Sequence, residues 1–146
     1  MKIVNKTAPN KFSIEEKFEA GISLIGSEVK AIRMGHVDLS GAYVKILTGE
    51  AHLINAKIFP YKFSRIEGYQ EDRSRKLLLH KSELRNIKLR LDSGKFTLVP
   101  LSLYEKKGKF KLEVALAKGK KEFEKRKDSK TRAIERDRNR ESKYDY

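Results

Sequence analysis

The sequence predicts a mainly β protein, an antiparallel barrel with two or three short flanking helices and a basic C-terminal tail. Three observations point there. Apolar residues recur at every second position over several short stretches, the spacing of a strand with one buried face. Glycine-containing turns, Thr48-Gly49-Glu50 and Lys106-Lys107-Gly108-Lys109, join pairs of these stretches, so their strands run antiparallel. From Lys118 onward only Phe123, Ala133, Ile134, Tyr144 and Tyr146 are apolar or aromatic, too few to offset the entropy of ordering 29 residues. Residues 1–117 are therefore read as one folded domain, and residues 118–146 as a flexible tail.

Residues 1–11 form a polar lead-in. Phe12, Ile14, Phe18, Ala20, Ile22 and Leu24 share a period of two, which predicts extended structure over 12–25, with a bulge or close backbone approach at Gly21. Ser27 as N-cap, Glu28 in the first turn and Gly35 after Met34 predict a helix over 28–34. Lys30 and Arg33 share one edge of it. Ala42–Leu47 and Ala51–Ile58 then make a hairpin, and residues 60–74 a long exposed loop. After Arg75-Lys76-Leu77-Leu78-Leu79-His80, Ser82 caps a helix bearing Leu84, Ile87 and Leu91, although Ile87, Leu89 and Leu91 also alternate as in a strand. Phe96–Tyr104 and Phe110–Leu116 form a second hairpin, with Pro100 marking an edge position or a bulge. A barrel would remove the free edges of such a sheet.

Charge narrows the partner. The net charge is +14, and both parts share it: 22 basic against 13 acidic side chains in residues 1–117, and 12 against 7 in residues 118–146. Such an excess favours nucleic acid, whose condensed counterions are released as Lys and Arg neutralise phosphates. An oligonucleotide-binding type of barrel fits this pattern and charge together. The lysines of residues 1–11 admit a terminus that is either frayed or laid on RNA. Phe123 among basic residues suits an irregular RNA, where a base stacks on a ring while cations hold phosphates. No 18-residue apolar run, export signal or lipidation motif is found, which argues against a membrane partner and leaves the cytoplasm as the default compartment.

Enzymatic readings find little support. The absence of cysteine rules out disulfides and thiolate metal sites, and His36, His52 and His80 lack metal-site spacing. No cofactor or metal is therefore expected. Phosphate-binding glycine loops and a serine nucleophile elbow are missing too. Glu15, Glu16 and Glu19 form an acidic cluster open to a metal-dependent nuclease reading, but more often such a cluster is a solvated strand face.

Several stretches together resemble a known family, the tmRNA-binding small protein B or SsrA-binding proteins of bacterial ribosome rescue. They are Ile14-Glu15-Glu16 through Phe18-Glu19-Ala20-Gly21, Glu28-Val29-Lys30 with Arg33 and Gly35, and Asn55-Ala56. Arg75-Lys76-Leu77-Leu78-Leu79-His80, Leu98–Tyr104 and Ala117-Lys118-Gly119-Lys120-Lys121 with Lys125-Arg126 continue the series in the family's order.

The resemblance implies a non-enzymatic, monomeric adaptor of trans-translation. It would bind the tRNA-like domain of tmRNA and deliver it, with GTP-bound elongation factor Tu, to stalled ribosomes. The tail would become helical on the ribosome and occupy the vacant small-subunit decoding centre and mRNA path. For RNA binding the combined reading nominates Glu19, Lys30, Arg33, Asn55, Arg75, Lys76, Leu79, His80 and Lys118, with two of the three leucines 77–79 assigned to the core. For the ribosome it nominates Gly119 as hinge, then Lys120, Lys121, Phe123, Glu124, Lys125, Arg126, Arg132, Ile134 and Arg136. Glu124 stands where the family's Asp-Lys-Arg motif has Asp, Phe123 where some members carry His, and Thr7, Pro9 and Asn10 in a segment usually more basic. A ribosomal protein with an rRNA-threading tail is the competing expectation.

Overall fold

The computed structural model describes residues 2–61 and 67–120. Lys121, Phe123, Glu124, Lys125, Arg126, Arg132, Ile134 and Arg136 lie outside the described residues. Along the chain come β1 (Lys2–Val4), α1 (Ala8–Lys11), β2 (Phe12–Ile22), α2 (Gly26–Arg33), β3 (Val37–Asp38) and β4 (Tyr43–Leu47). Then follow β5 (Glu50–Ile54), β6 (Lys57–Ile58), β7 (Arg75–Leu78), α3 (Lys81–Asp92), β8 (Thr97–Lys106) and β9 (Lys109–Gly119).

Six strands close a ring in the order β8-β4-β5-β7-β2-β9, with β9 returning to β8 and every pairing antiparallel. Closure leaves the ring no open edge. β1 takes the part of β8 that β4 leaves free: Leu98 faces Val44, while Ser102 to Tyr104 face Val4 to Lys2. β3 and β6 pair apart from the ring. The two tight hairpins turn on Thr48-Gly49 and Lys107-Gly108, all four with positive φ, the backbone that follows the strands' own twist.

Two bulges decide which side chains fill the barrel. An extra residue reverses the inside–outside alternation of a strand. The register of β2 against β9 slips between Ile14 and Glu16, and that of β8 between Pro100 and Ser102. Phe18, Ala20, Leu98 and Leu103 therefore join Leu112, Val114 and Leu116 in the main core. Phe12, Ile14, Val99 and Leu101 instead cluster with Ala115 and Ala117 outside it. Pro100 sits at a bulge, one of the two places predicted for it. The two longer helices stand at opposite ends of the β8–β9 hairpin. Arg33 of α2 reaches Glu105 near its tip, and Arg90 of α3 lies over Phe96 at its base.

The structure corrects several boundaries. The lead-in is ordered as β1 and α1, because Asn5 ties it to β8. β2 ends at Ile22 instead of residue 25. α2 starts at Gly26 with Ile25 as N-cap, since the Glu28 carboxylate accepts the Ile25 N–H at 3.0 Å; Ser27 lies inside the helix. His80, not Ser82, caps α3, its N–H bonded to Glu83 at 3.2 Å. The helical spacing of Leu84, Ile87 and Leu91 prevails there, which leaves Leu89 74% exposed. The expected second strand at 51–58 is split into β5 and β6 by Asn55, whose φ is +63°. The loop after Pro60 is not simply exposed, because Tyr69 and Arg73 turn inward onto Glu28.

Candidate nucleic-acid interface

On the outer face of the barrel, β2, β9 and β8 bring residues from three stretches of chain into neighbouring positions. The register sets Gly21 opposite both Leu78 and Lys111, Lys111 opposite Tyr104, and Glu19 opposite Glu113. Tyr104 Oη donates to Glu19 Oε2 at 2.5 Å, and Lys106 Nζ lies 3.5 Å from both carboxylate oxygens. The Tyr104 hydrogen bond holds the Glu19 carboxyl below the usual carboxylate range, outweighing desolvation, with the charges of Lys106 and Lys111 adding to it. Desolvation, then the bond to Glu19, pushes the Tyr104 hydroxyl up to about 12. Glu19 is thus ionised at neutral pH and Tyr104 remains a donor. Lys17 adds a 3.8 Å ion pair with Glu113 alongside.

Next to this polar cluster lies an apolar shelf. Leu78 is 58% exposed, and a Cβ placed on Gly21 would come within 3.3 Å of its Cβ. The glycine thus lets the leucine lie close against β2. A hollow of about 320 Å³ opens there between Leu78, Leu24, Val29, Phe110 and the lysines 109 and 111. An ionised acceptor, cations and a solvent-exposed apolar surface in one place suit a nucleic acid with unstacked bases. A carboxylate can accept from base or sugar donors, lysines can hold phosphates, and a base can pack on such a shelf.

The other nominated residues divide. Arg75 is fully buried, so it cannot touch RNA: its guanidinium is taken up by Glu28 Oε2, by the Ala56 carbonyl at 2.8 Å and by the Glu71 carbonyl at 2.9 Å. Leu79 packs partly on the core and Leu77 is buried, so the exposed leucine of the three is Leu78, not Leu79. Lys76 is exposed and pairs with Glu50 at 3.0 Å. Asn55 supplies a left-handed turn, a conformation asparagine tolerates well. His80 is exposed at the start of α3.

Lys30 and Arg33 are both exposed on α2. Lys30 lies over the Tyr61 ring at 5.5 Å, while Arg33 bonds Glu105 at 3.3 Å beside the strand that carries Tyr104 and Lys106. Lys118 stands elsewhere, 5.0 Å from the Phe96 ring centre and 4.0 Å from Glu15. Gly119, the expected hinge, is still in the ladder opposite Phe12. The strand therefore runs two residues beyond the boundary placed at residue 117.

Tyr104, Lys106, Lys111 and Leu78 escaped the sequence reading as site residues. For Leu78 a signal existed, because a buried Leu77 in a strand turns its neighbour outward. For Tyr104 none did, since 85 positions separate it from Glu19. Glu15, Glu16 and Glu19 each meet a different cation, Lys118, Arg90 and Lys106, and among the described residues no group of acids and histidines is arranged to hold a metal ion. Among the same residues no helix is long and apolar enough to cross a membrane.

A family model described as SmpB protein matches residues 2–144 of the chain. The SsrA-binding protein of Geotalea uraniireducens is 47% identical over 133 residues, which cover 91% of this chain and 88% of the relative. That of Aquifex aeolicus is 45% identical over 140 residues, 95% of this chain and 89% of the relative. A chain of a solved structure described as "tmRNA-SmpB: a journey to the center of the bacterial ribosome" superposes with a TM-score of 0.69 at 40% identity, covering 91% of this chain and 94% of that one.

Proposed function

The chain belongs to the SmpB family of SsrA-binding proteins, and from that membership we propose what each of its parts does. It is an RNA-binding adaptor of trans-translation, which binds tmRNA and brings it to the ribosome. The observation that carries this is the likeness, over 91% of the chain, to an SmpB solved in a tmRNA context.

In finer detail, the barrel takes the tRNA-like domain of tmRNA on the face holding Glu19, Tyr104, Lys106, Lys111 and Leu78, with Lys30 and Arg33 flanking it. Supporting this is the chemistry of that face, where acceptor, cations and apolar shelf lie together. The arm from Lys120 onward, with Lys121, Phe123, Glu124, Lys125, Arg126, Arg132, Ile134 and Arg136, enters the decoding centre and mRNA path of the small subunit. Its basic character supports that destination. The protein works as a monomer in the cytoplasm, and elongation factor Tu with GTP accompanies the charged tmRNA. It binds and does not catalyse, and each of the three clustered glutamates already faces a cation.

The test titrates the full chain and a 1–120 truncation against the tRNA-like domain, with an elongator tRNA as competitor, over a series of salt concentrations. Preference for the tRNA-like domain should survive truncation, while tagging of stalled chains is lost. Equal, steeply salt-dependent binding to both RNAs overturns the reading, because net charge would then account for all of it.

A further inference from the structure

We propose that residues 5–11 form a clasp that positions the origin of the C-terminal arm, with Asn5 as its positioning residue. This rests on the reading of residues from 120 onward as the ribosome-engaging arm.

The clasp starts at the β8 bulge. A bulge leaves backbone groups outside the regular ladder, and such groups need partners when buried. Asn5, 5% exposed, supplies them: its Nδ2 donates to the Pro100 carbonyl at 2.9 Å and its backbone N–H to the Leu101 carbonyl at 2.8 Å. Its Oδ1 accepts from Thr7 Oγ1 at 2.9 Å and from Thr7 N at 3.3 Å, a side-chain turn that leads directly into α1. Ala8 is buried there.

From the end of α1 the same segment reaches the arm. The Lys11 carbonyl accepts the Lys120 N–H at 2.9 Å, and the Pro9 carbonyl accepts Lys120 Nζ at 2.8 Å. One residue earlier Gly119 faces Phe12, and one before that Lys118 is held beside Phe96 and Glu15. Three consecutive residues at the root of the arm are therefore fixed. The last of them is bonded by the end of α1, and the segment carrying α1 is joined at its other end to β8 through Asn5. The chain of contacts runs bulge, Asn5, α1, Lys120, and it gives the polar N-terminal segment a task other than lying on RNA.

Backbone amide exchange in the free, full-length chain tests this without any RNA present. In the wild type the Lys120 amide should exchange at least about tenfold more slowly than an unstructured amide, since a hydrogen bond of ordinary net strength is broken before exchange. In Asn5→Ala that protection should be lost while the amides of Leu112, Val114 and Leu116 keep theirs. Tagging should fall severalfold with binding to the tRNA-like domain within twofold of wild type. Should Asn5→Ala unfold the barrel, Thr7→Ala, which removes one hydroxyl from a half-buried site, reads the same quantities.

A Lys120 amide unprotected in the wild type, or equally protected in the variants, overturns the clasp. So does a loss of RNA binding as large as the loss of tagging. Normal tagging by a variant whose Lys120 amide is released overturns its positioning role, provided the 1–120 truncation abolishes tagging; if the truncation also tags normally, the reading of the arm has failed instead.

Discussion

Arg75 and Glu28 meet as a fully buried ion pair, with Nε at 2.9 Å and Nη2 at 2.6 Å from Oε2. Arg73 adds bonds to both oxygens of the same carboxylate, and the Ile25 N–H caps Oε1. This pair joins α2 to the barrel wall at β7. Removing one partner from a buried pair strands the other, at a cost of about 3–5 kcal/mol. Glu28→Gln should therefore destabilise the fold by that order in urea unfolding. Arg75→Met should cost less, because Arg73 still answers Glu28.

The same carboxylate sets an acid limit on stability. Burial works to raise the Glu28 carboxyl, but hydrogen bonds from Arg73, Ile25 and Arg75 outweigh it and hold the group below its ordinary value. A depressed folded value means that the contribution is complete above the unfolded carboxylate range and is lost as pH falls through the folded value. Urea midpoints of the wild type should drop as pH falls below about 4, and Glu28→Gln should flatten that part of the profile.

Leucines 77 and 78 should separate stability from recognition. Leu77 is buried against the core, so Leu77→Ala should cost about 2–5 kcal/mol. Leu78 stands in solvent over Gly21, so Leu78→Ala should leave the unfolding midpoint nearly unchanged while weakening binding to the tRNA-like domain by roughly tenfold, the loss of one base-packing contact. Equal RNA affinity for wild type and Leu78→Ala would remove the shelf from the interface.

What the sequence disclosed and what it hid divide along contact range. The hairpins were legible because Thr48-Gly49 and Lys107-Gly108 carry their turn chemistry in adjacent residues. Pro100 announced an edge position or a bulge, and the bulge is where it lies. The helix starts were misplaced because the capping partner of Ile25 and of His80 is an acid three residues later, which no residue at the cap position announces. Arg75 read as a surface base since its basic neighbours Arg73 and Lys76 stay at least partly exposed; only the fold brings Glu28, 47 positions away, beneath it. Of the proposed interface, Glu19 was nominated through the family's pattern, whereas Tyr104 and Lys106 join it only through β-sheet register.

Gly119 occupies ordinary strand backbone, and a Cβ there would meet nothing within 4 Å. An alanine fits that conformation and restricts the unfolded chain more than glycine does, so Gly119→Ala should leave the unfolding free energy unchanged or raise it by up to about 1 kcal/mol. Tagging by the variant should remain near wild type, since Gly119 is held in the ladder opposite Phe12. Abolished tagging with an intact fold would show that Gly119 leaves the ladder during function.

Charge and shape at the proposed interface should be separable by salt. Each lysine that neutralises a phosphate contributes about one counterion to the slope of log affinity against log salt. Lys111→Ala should therefore weaken binding to the tRNA-like domain and flatten that slope by nearly one. Leu78→Ala should shift the line without changing its slope, because the lost contact carries no charge. Tyr104→Phe provides the third pattern. It removes the donor that holds the Glu19 carboxyl low, so that carboxyl should titrate closer to its ordinary value in a carbon-detected NMR titration. RNA affinity should fall with little change in slope at neutral pH, where Glu19 stays ionised but loses the partner that orients it. A slope that moves with Leu78→Ala or Tyr104→Phe as it does with Lys111→Ala would mean that these side chains act through the bound geometry of the phosphates and not through the bases.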